Sequence, residues 1–309
     1  MSNSIVRTET DKVSTQYINS SFIRKIDQGL TKEASDLGSA FIRTKLRQEA
    51  FVREILPPIL LQDDEIDRDE NTDQPKKIVE KEPDSVATFV PFYGTATRTI
   101  FKGPRYAVYF GKVETQRFRK SKYELMTYQN DIKKILADNA VKDMADQEDR
   151  KFIDTVNSIL SASPEQVVAA TAVDGAAFKV GLQNFFKRRL PVGRVVMTKS
   201  ALAEVLDLPA TSVGNDIASA HYHDGVEKEE RLFGYPVTTT IKEDILTPQN
   251  GASHSIYFFS PDNFLGNFFL LQDATLYIKQ EADIIFFHSY EALGIGIGNT
   301  AGITRIDVA

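Results

Sequence analysis

The chain of 309 residues contains no cysteine, which excludes disulfide bonds and thiolate metal sites. No stretch approaches the roughly 20 apolar residues that a membrane-spanning helix requires. The first twenty residues are polar and carry interspersed charges, so they do not resemble a signal peptide. From these absences we expect a chain that is neither secreted nor embedded in a membrane.

Motifs for catalysis and cofactor binding are also missing. There is no phosphate-binding loop with Gly-Lys-Ser or Gly-Lys-Thr, and no nucleophile elbow for Ser-His-Asp catalysis. Gly294-Ile295-Gly296-Ile297-Gly298 resembles half of a dinucleotide fingerprint, but a glycine-punctuated strand is the simpler interpretation because no acidic partner follows. His221 and His223 have the spacing of two metal ligands on one strand, although a polar loop explains them as well. We expect no enzyme activity, no cofactor and no metal.

The net charge of −6 disfavours a dedicated nucleic-acid-binding protein, because such proteins are usually basic. A mildly acidic surface still allows passive contact with DNA, since it does not adhere to phosphate. The length is sufficient for two compact lobes of about 150 residues each.

The most informative segment is a predicted β-hairpin with arms at Ala87–Phe101 and Arg105–Arg119. Both arms are rich in β-branched and aromatic residues, and Lys102-Gly103-Pro104 supplies the turn. A two-stranded ribbon alone is marginally stable in water, and the rest of the sequence offers no matching partner. The pattern therefore predicts an arm that is covered by copies of the same chain. A stacking platform for nucleic acid is an alternative that we rank lower.

A long helix is predicted directly after the hairpin. Ser121 and Glu124 have the spacing of a capping box, in which each side chain accepts a hydrogen bond from the other residue's amide. Apolar residues then follow at helical spacing, and a second helical segment begins near Val141. The Asn139-Ala140 junction predicts a bend between the two halves of one spine helix.

The N-terminal third is predicted to be an arm. Met1–Lys32 lacks sustained periodicity, so we expect it to be disordered or to order on binding. Asp36–Leu56 is predicted to be a helix with Asp36 as its cap, ended by Pro57-Pro58. The acidic segment Asp63–Asp73 is either a solvated linker or a surface that pairs with the basic hairpin of a neighbouring subunit. The candidate contact residues are Asp63, Asp64 and Asp67 on the acidic side and Arg98, Lys102, Arg105, Arg117 and Arg119 on the basic side.

The remainder of the sequence is predicted to be α+β. Ser163–Gln166 has the pattern of a helix start, and a helical stripe of aromatic residues follows and ends before Leu190. A strand at Val195–Thr198 and a helix at Ser200–Leu206 precede a loop. The last predicted strands are Leu232–Ile241, Ser255–Phe259, Phe268–Leu271, Thr275–Gln280 and Ile284–Ile297.

In this order the elements resemble the major capsid proteins of tailed bacteriophages, whose Hong Kong-type fold is shared with encapsulins. Two segments carry the resemblance besides the hairpin and helix: Leu232–Val237, a hydrophobic-Gly-hydrophobic-Pro-Val pattern, and the ending from Thr275 to Ile306. The resemblance spans most of Asp36 to Ala309. Each motif is weakly specific alone, and their order is what is distinctive.

The resemblance implies a domain organisation. Residues 1–83 would be an arm with one helix and the acidic linker, and residues 84–120 an extended loop lying across a neighbouring subunit. Residues 121–190 would be a peripheral domain with a spine helix, and residues 191–269 an axial domain. Residues 270–309 would return to both domains, with Thr275–Glu281 as a long strand beside the spine helix.

The resemblance also implies a function. Pentamers and hexamers of the chain would build an icosahedral shell around double-stranded DNA, assembled in the host cytoplasm with a separate scaffolding protein, a portal and decoration proteins. Some relatives crosslink a loop lysine to an asparagine. Lys102 occupies a comparable place, but no partner asparagine or catalytic glutamate can be matched, so we expect it to form ion pairs. An encapsulin nanocompartment and a soluble enzyme are the alternatives.

Overall fold

The computed structural model describes residues 9–80, 89–95, 103–127, 132–173, 175–206, 231–232, 234–246 and 251–309. The helices are α1 (Glu9–Asp27), α2 (Thr31–Glu49), α3 (Val52–Ile55), α4 (Lys122–Thr127), α5 (Ile132–Leu136), α6 (Lys142–Ala162), α7 (Gly175–Lys187), α8 (Lys199–Leu206) and α9 (Asp262–Leu265). The first seven strands are β1 (Pro58–Leu60), β2 (Asp67–Arg68), β3 (Pro75–Glu80), β4 (Arg105–Tyr109), β5 (Gly111–Glu114), β6 (Phe118–Ser121) and β7 (Val167–Ala170). The others are β8 (Arg194–Thr198), β9 (Arg231–Leu232), β10 (Tyr235–Thr240), β11 (His254–Phe259), β12 (Gly266–Glu281), β13 (Ile284–Ile297) and β14 (Ile303–Val308). Within these ranges, no helix is both long and apolar enough to cross a membrane.

A five-stranded sheet is built around the long antiparallel pair β12 and β13. Its order is β1-β12-β13-β5, and β6 also pairs with β13. The two strands predicted at 268–271 and 275–280 are one strand, β12, with register shifts between Leu270 and Thr275. The irregular part contains Asp273, whose carboxylate accepts a hydrogen bond from the amide of Ala274. The polar residues of this irregular part interrupt the apolar pattern, which is why the sequence predicted two strands.

A six-stranded sheet forms the second lobe, in the order β7-β14-β11-β8-β10-β9. Helix α7 packs on this sheet, and its Phe178 and Phe185 rings contact Phe258 at centroid distances of 5.9 and 6.5 Å. Phe178 and Phe185 of the predicted aromatic stripe are therefore core residues, whereas Phe186 is exposed. Because β7 and α7 belong to this lobe, the lobe begins earlier in the chain than the implied boundary at residue 190. Ser163–Gln166 does not begin a helix. It forms a 3₁₀ turn into β7, because Val167 and Val168 pair with β14.

The spine helix is interrupted where a bend was predicted. A π-helical turn at Ala137–Val141 joins α5 to α6 and includes Asn139-Ala140. Residues 128–131 lie outside the described ranges. One side of α6 is buried in the main core, through Met144, Phe152, Ile153, Val156 and Leu160.

The helix that lies along β12 is α2, which corrects the expectation that the spine helix would occupy this place. The hydroxyl of Ser39 accepts from the amide of Leu276 at 2.9 Å, and Arg43 Nε donates to the carbonyl of Ala274 at 2.8 Å. Gly38 makes this packing possible, because a Cβ at this position would lie 2.3 Å from Leu276 Cδ2.

The N-terminal predictions were wrong in three respects. Residues 9–27 form helix α1, and its Phe22, Ile23 and Ile26 are buried in the main core, so this part of the predicted arm is not disordered. Residues 1–8 lie outside the described residues. Helix α2 starts at Thr31, which places Asp36 inside it and not at its cap. A separate helix, α3, follows before Pro57. The prediction failed for α1 because Phe22, Ile23 and Ile26 are too few and too close together to show a helical period in the sequence.

The hairpin exists, but its arms differ from the predicted ones. The ribbon consists of β3 and β4, with Lys76 opposite Tyr109 and Glu80 opposite Arg105, and β2 extends it. Residues 89–95 of the predicted first arm contain no strand, and Pro91 has no amide to donate to a ladder. The predicted second arm is divided among β4, β5 and β6. The last two pair with β13.

Candidate functional site

The loop between β3 and β4 carries an uncovered aromatic cluster. Phe89, Phe92 and Tyr93 are each at least 97% exposed. The Phe92 and Tyr93 rings meet edge to face at 5.6 Å, and a hydrogen bond of 2.7 Å from the Gly94 amide to the Pro91 carbonyl closes a turn beside them. Burying one such side chain is worth roughly 1.5–3 kcal/mol. Together, the three exposed side chains are therefore a strong candidate for contact with another molecule.

The predicted basic contact residues fall into three groups. Arg98 and Lys102 lie outside the described residues. Arg105 pairs within the chain, since its Nε lies 2.9 Å from Glu80 Oε2 across the β3–β4 ribbon. Arg117 and Arg119 are exposed next to and within β6, and in the described part of the chain neither has an ion-pair partner. These two arginines are the basic candidates that the structure leaves available.

The acidic segment is partly neutralised by its own chain. Glu65 pairs with Lys77 at 3.2 Å, and Asp69 pairs with Lys76 at 3.3 Å. The pKa of Glu65 is lowered by the amide of Gln62 and then by Lys77. Glu65 and Asp69 therefore pair with lysines of β3 and not with the hairpin arginines that the sequence suggested. Asp63, Asp64 and Asp67 are exposed and make no ion pair with any residue the structure describes.

The cap of the spine helix differs in detail from the prediction. Ser121 ends β6, and its hydroxyl accepts from the amide of Tyr123 at 3.3 Å. The amide of Lys122 donates to the carbonyl of Asp283 at 2.7 Å. The predicted exchange with Glu124 is wrong, because the helix begins directly after the strand and Tyr123 is the nearer donor. Glu124 is exposed.

A buried charge cluster was missed entirely by sequence reasoning. Arg53 forms a two-pronged ion pair with Glu148, at 2.7 Å from Nε and 2.6 Å from Nη2. The same Nη2 lies 3.1 Å from Glu291 Oε2. The three side chains are 2%, 0% and 0% exposed. No local sequence signal marks this site, since its members come from α3, α6 and β13.

A second ion pair adjoins the first. Lys242, which follows β10, lies 2.6 Å from Asp149 and 2.9 Å from Asp146. The other oxygen of Asp149 accepts from the amide of Val52 at 3.0 Å. Burial raises the pKa of Asp149 to about 6, although Lys242 acts in the opposite direction. Helix α6 is thereby tied to both α3 and the six-stranded sheet.

The histidines and the glycine-rich segment were the other candidate sites of the sequence. Among the described residues, no group of three or more His, Cys, Asp or Glu side chains is arranged to hold a metal ion. His221 and His223 lie outside those residues. Gly294 and Gly296 are in β13 and face Val108, Phe110 and Tyr106, where a Cβ would come within 3 Å of a side chain. They are a strand packing surface, as the simpler interpretation predicted.

No family model and no curated protein matches the chain. It is similar to the capsid structure of cyanophage P-SCSP1u, with a TM-score of 0.57 and 10% identity over 78% of this chain and 85% of that chain. The mature capsid of bacteriophage PhiM1 gives a TM-score of 0.55 and 10% identity over 84% and 87%. A virus-like particle from Pyrococcus furiosus gives 0.54 and 13% over 89% and 100%. The chain has the Hong Kong-type capsid fold that the sequence resemblance implied.

Proposed function

We propose that this chain is the major capsid protein of a tailed bacteriophage, and that many copies form the icosahedral shell enclosing its double-stranded DNA. The observation that carries the proposal is the combination of a capsid fold with a loop whose aromatic side chains Phe89, Phe92 and Tyr93 are fully exposed in the single chain. The solved capsids with this fold are assembled shells, so each copy has neighbours that can supply such cover.

In this proposal the β3–β4 ribbon and its loop extend over the neighbouring subunit. Phe89, Phe92 and Tyr93 provide the apolar part of the contact. Arg117 and Arg119 provide a basic surface for Asp63, Asp64 and Asp67 of another copy, and Arg98 and Lys102 belong to the same loop. Exposed ion pairs contribute only ~0.2–1 kcal/mol each, but a closed shell repeats every contact many times.

The proposed division of the chain follows the two sheets. The five-stranded sheet with α2 and α6 is the peripheral domain, and the six-stranded sheet is the axial domain whose loops meet at five-fold and six-fold positions. The proposed partners are pentamers and hexamers of the chain itself, a separate scaffolding protein, a portal, decoration proteins and the packaged DNA. The proposed location is the virion, after assembly in the bacterial cytoplasm. No catalytic role is proposed.

A nanocompartment of the encapsulin type is the second candidate, because the Pyrococcus particle chain is matched over its whole length. Electron microscopy of the purified full chain separates the possibilities. Closed particles support a shell protein, and a chain that remains monomeric at high concentration contradicts the proposal. Particles from phage-infected cells that contain double-stranded DNA support the phage capsid, whereas particles filled with an enzyme and no DNA support the nanocompartment.

A further inference from the structure

Helix α3 is short, but three consecutive residues of it hold different parts of the molecule. The amide of Val52 donates to Asp149 of α6. Arg53 binds Glu148 and Glu291, as described above. Glu54 accepts from Arg194 of β8 at 2.8 Å and from Thr238 of β10 at 2.9 Å.

These bonds place α3 between the two lobes. Arg53 reaches the five-stranded sheet through Glu291, while Glu54 reaches the six-stranded sheet. The spine helix α6 contacts α3 through both Glu148 and Asp149. Directly after α3 the chain enters β1 and then the segment that leads to the β3–β4 ribbon. A change at α3 would therefore be transmitted to both lobes and to the ribbon.

We infer that α3 is a joint between the two lobes, in the sense that its hydrogen bonds hold both of them. We also infer that these bonds are all kept only while one proton is held between Glu148 and Glu291. The geometry requires this proton. Both oxygens of Glu148 accept from Arg53, whereas Glu291 Oε1 has no hydrogen-bond partner among the described residues. Two ionised carboxylates beside a single guanidinium would leave an unbalanced negative charge where no water reaches, and such a charge is strongly unfavourable.

The surrounding groups do not supply the missing positive charge. On β12, Asp273 faces the cluster and is itself paired with Arg43 at 3.3 Å. Towards the six-stranded sheet, Lys242 is shared between Asp149 and Asp146. The residue opposite Glu291 on β5 is Val113, which carries no charge. Burial, followed by the nearby charge of Glu148, raises the pKa of Glu291 well above its ordinary value.

The sign of the pH effect follows from linkage. Glu291 binds its proton more tightly in the folded chain than in the unfolded chain, so this proton stabilises the fold most at low pH. The stabilisation is lost as the pH rises towards the raised pKa of Glu291. Burial also raises the pKa of Asp149, to about 6, so the contribution of Glu291 is taken from the difference between the wild type and Glu291→Gln, which both retain Asp149.

Thermal unfolding of the purified chain between pH 5 and pH 9 tests whether Glu291 holds this proton in the folded state. We expect the melting temperature of the wild type to fall with pH relative to that of Glu291→Gln, in which an amide replaces the protonated acid. Glu148→Gln removes the need for the proton in the same way and serves if the first variant does not fold. Glu281→Gln, an exposed change on β12, should keep the wild-type profile. Parallel profiles for wild type and both cluster variants would overturn the inference.

Hydrogen–deuterium exchange tests whether loss of the proton loosens α3 and its contacts. At pH 8.5, after correction for the intrinsic rate, peptides that cover α3 and β10 should exchange faster in the wild type than in Glu291→Gln. Peptides from α7, which packs in the core of the six-stranded sheet, should exchange equally and serve as the control. Equal exchange at α3 and β10 would show that the proton does not control the joint. Both experiments use the chain in any assembly state, so a negative result leaves the proposed function standing.

Discussion

The side-chain amide of Asn19 donates a hydrogen bond of 3.0 Å to the backbone carbonyl of Leu125, although 106 residues separate them. The oxygen of the same side chain accepts from the amide of Ile132 at 3.1 Å. Asn19 is only 2% exposed. It therefore joins the end of α4 to the start of α5 and holds both to α1.

The first prediction concerns this bridge. Asn19→Ala removes both of these buried bonds, each at a cost of ~1–3 kcal/mol. We expect the free energy of unfolding to fall by about 2–4 kcal/mol, measured by urea denaturation. Ser20→Ala is the matched control, because the Ser20 hydroxyl is exposed and bonds only within its own helix turn. A loss for Asn19→Ala no larger than that of the control would show that the bridge is not formed.

The second prediction concerns the cap of α4. Ser121→Ala removes a bond of moderate length to the Tyr123 amide and should cost ~0.5–1 kcal/mol. Glu124→Ala should change stability by less than ~0.5 kcal/mol, because the reciprocal bond is not made and the side chain is exposed. Urea denaturation of both variants checks this order. Equal losses would support the capping box that the sequence suggested.

The third prediction uses the raised pKa of Asp149. Because the pKa of Asp149 is about 6 in the folded chain and 3.8 for an ordinary aspartate, the stability that Asp149 contributes is full below pH 4 and is lost as the pH rises through 6. The free energy of unfolding of the wild type, minus that of Asp149→Asn, should therefore decrease between pH 4.5 and pH 7. The decrease should be on the order of 2 kcal/mol. An increase over this range would mean that Lys242 outweighs burial and that the pKa is lowered.

The fourth prediction concerns the charged surfaces proposed to meet between copies. Reversing Arg117 and Arg119 to Glu, or Asp63 and Asp64 to Lys, should weaken assembly, and the effect should diminish at high salt. Combining both reversals should restore part of the assembly. Light scattering at matched concentrations measures the yield of particles. Glu243→Lys, an exposed reversal after β10, is a control for net charge. Single reversals that leave assembly unchanged would remove these residues from the contact.

Sequence reasoning succeeded where the pattern is local and failed where the structure is determined by distant contacts. The strands β11 and β13 and the stripe of α7 have clear apolar periodicity, and their existence was predicted correctly. The ribbon strand β3 has only Ile78 and Val79 between charged residues, so its pairing with β4 left little trace in the sequence. The charge cluster around Arg53 joins residues up to 238 positions apart, and no spacing rule reveals such a site. The place of α2 depends on Gly38 meeting Leu276, which is equally non-local.

The most direct test is sedimentation velocity and electron microscopy of a chain whose loop aromatics are replaced. In Phe89→Ser, Phe92→Ser, Tyr93→Ser, the apolar contact is lost but the described core is untouched, so the chain should fold and fail to form closed particles. The matched control is Phe89→Tyr, Phe92→Tyr, Tyr93→Phe, which keeps three aromatic rings and should assemble like the wild type. Closed shells of normal size and yield from the serine variant would contradict the proposal that this loop joins neighbouring copies.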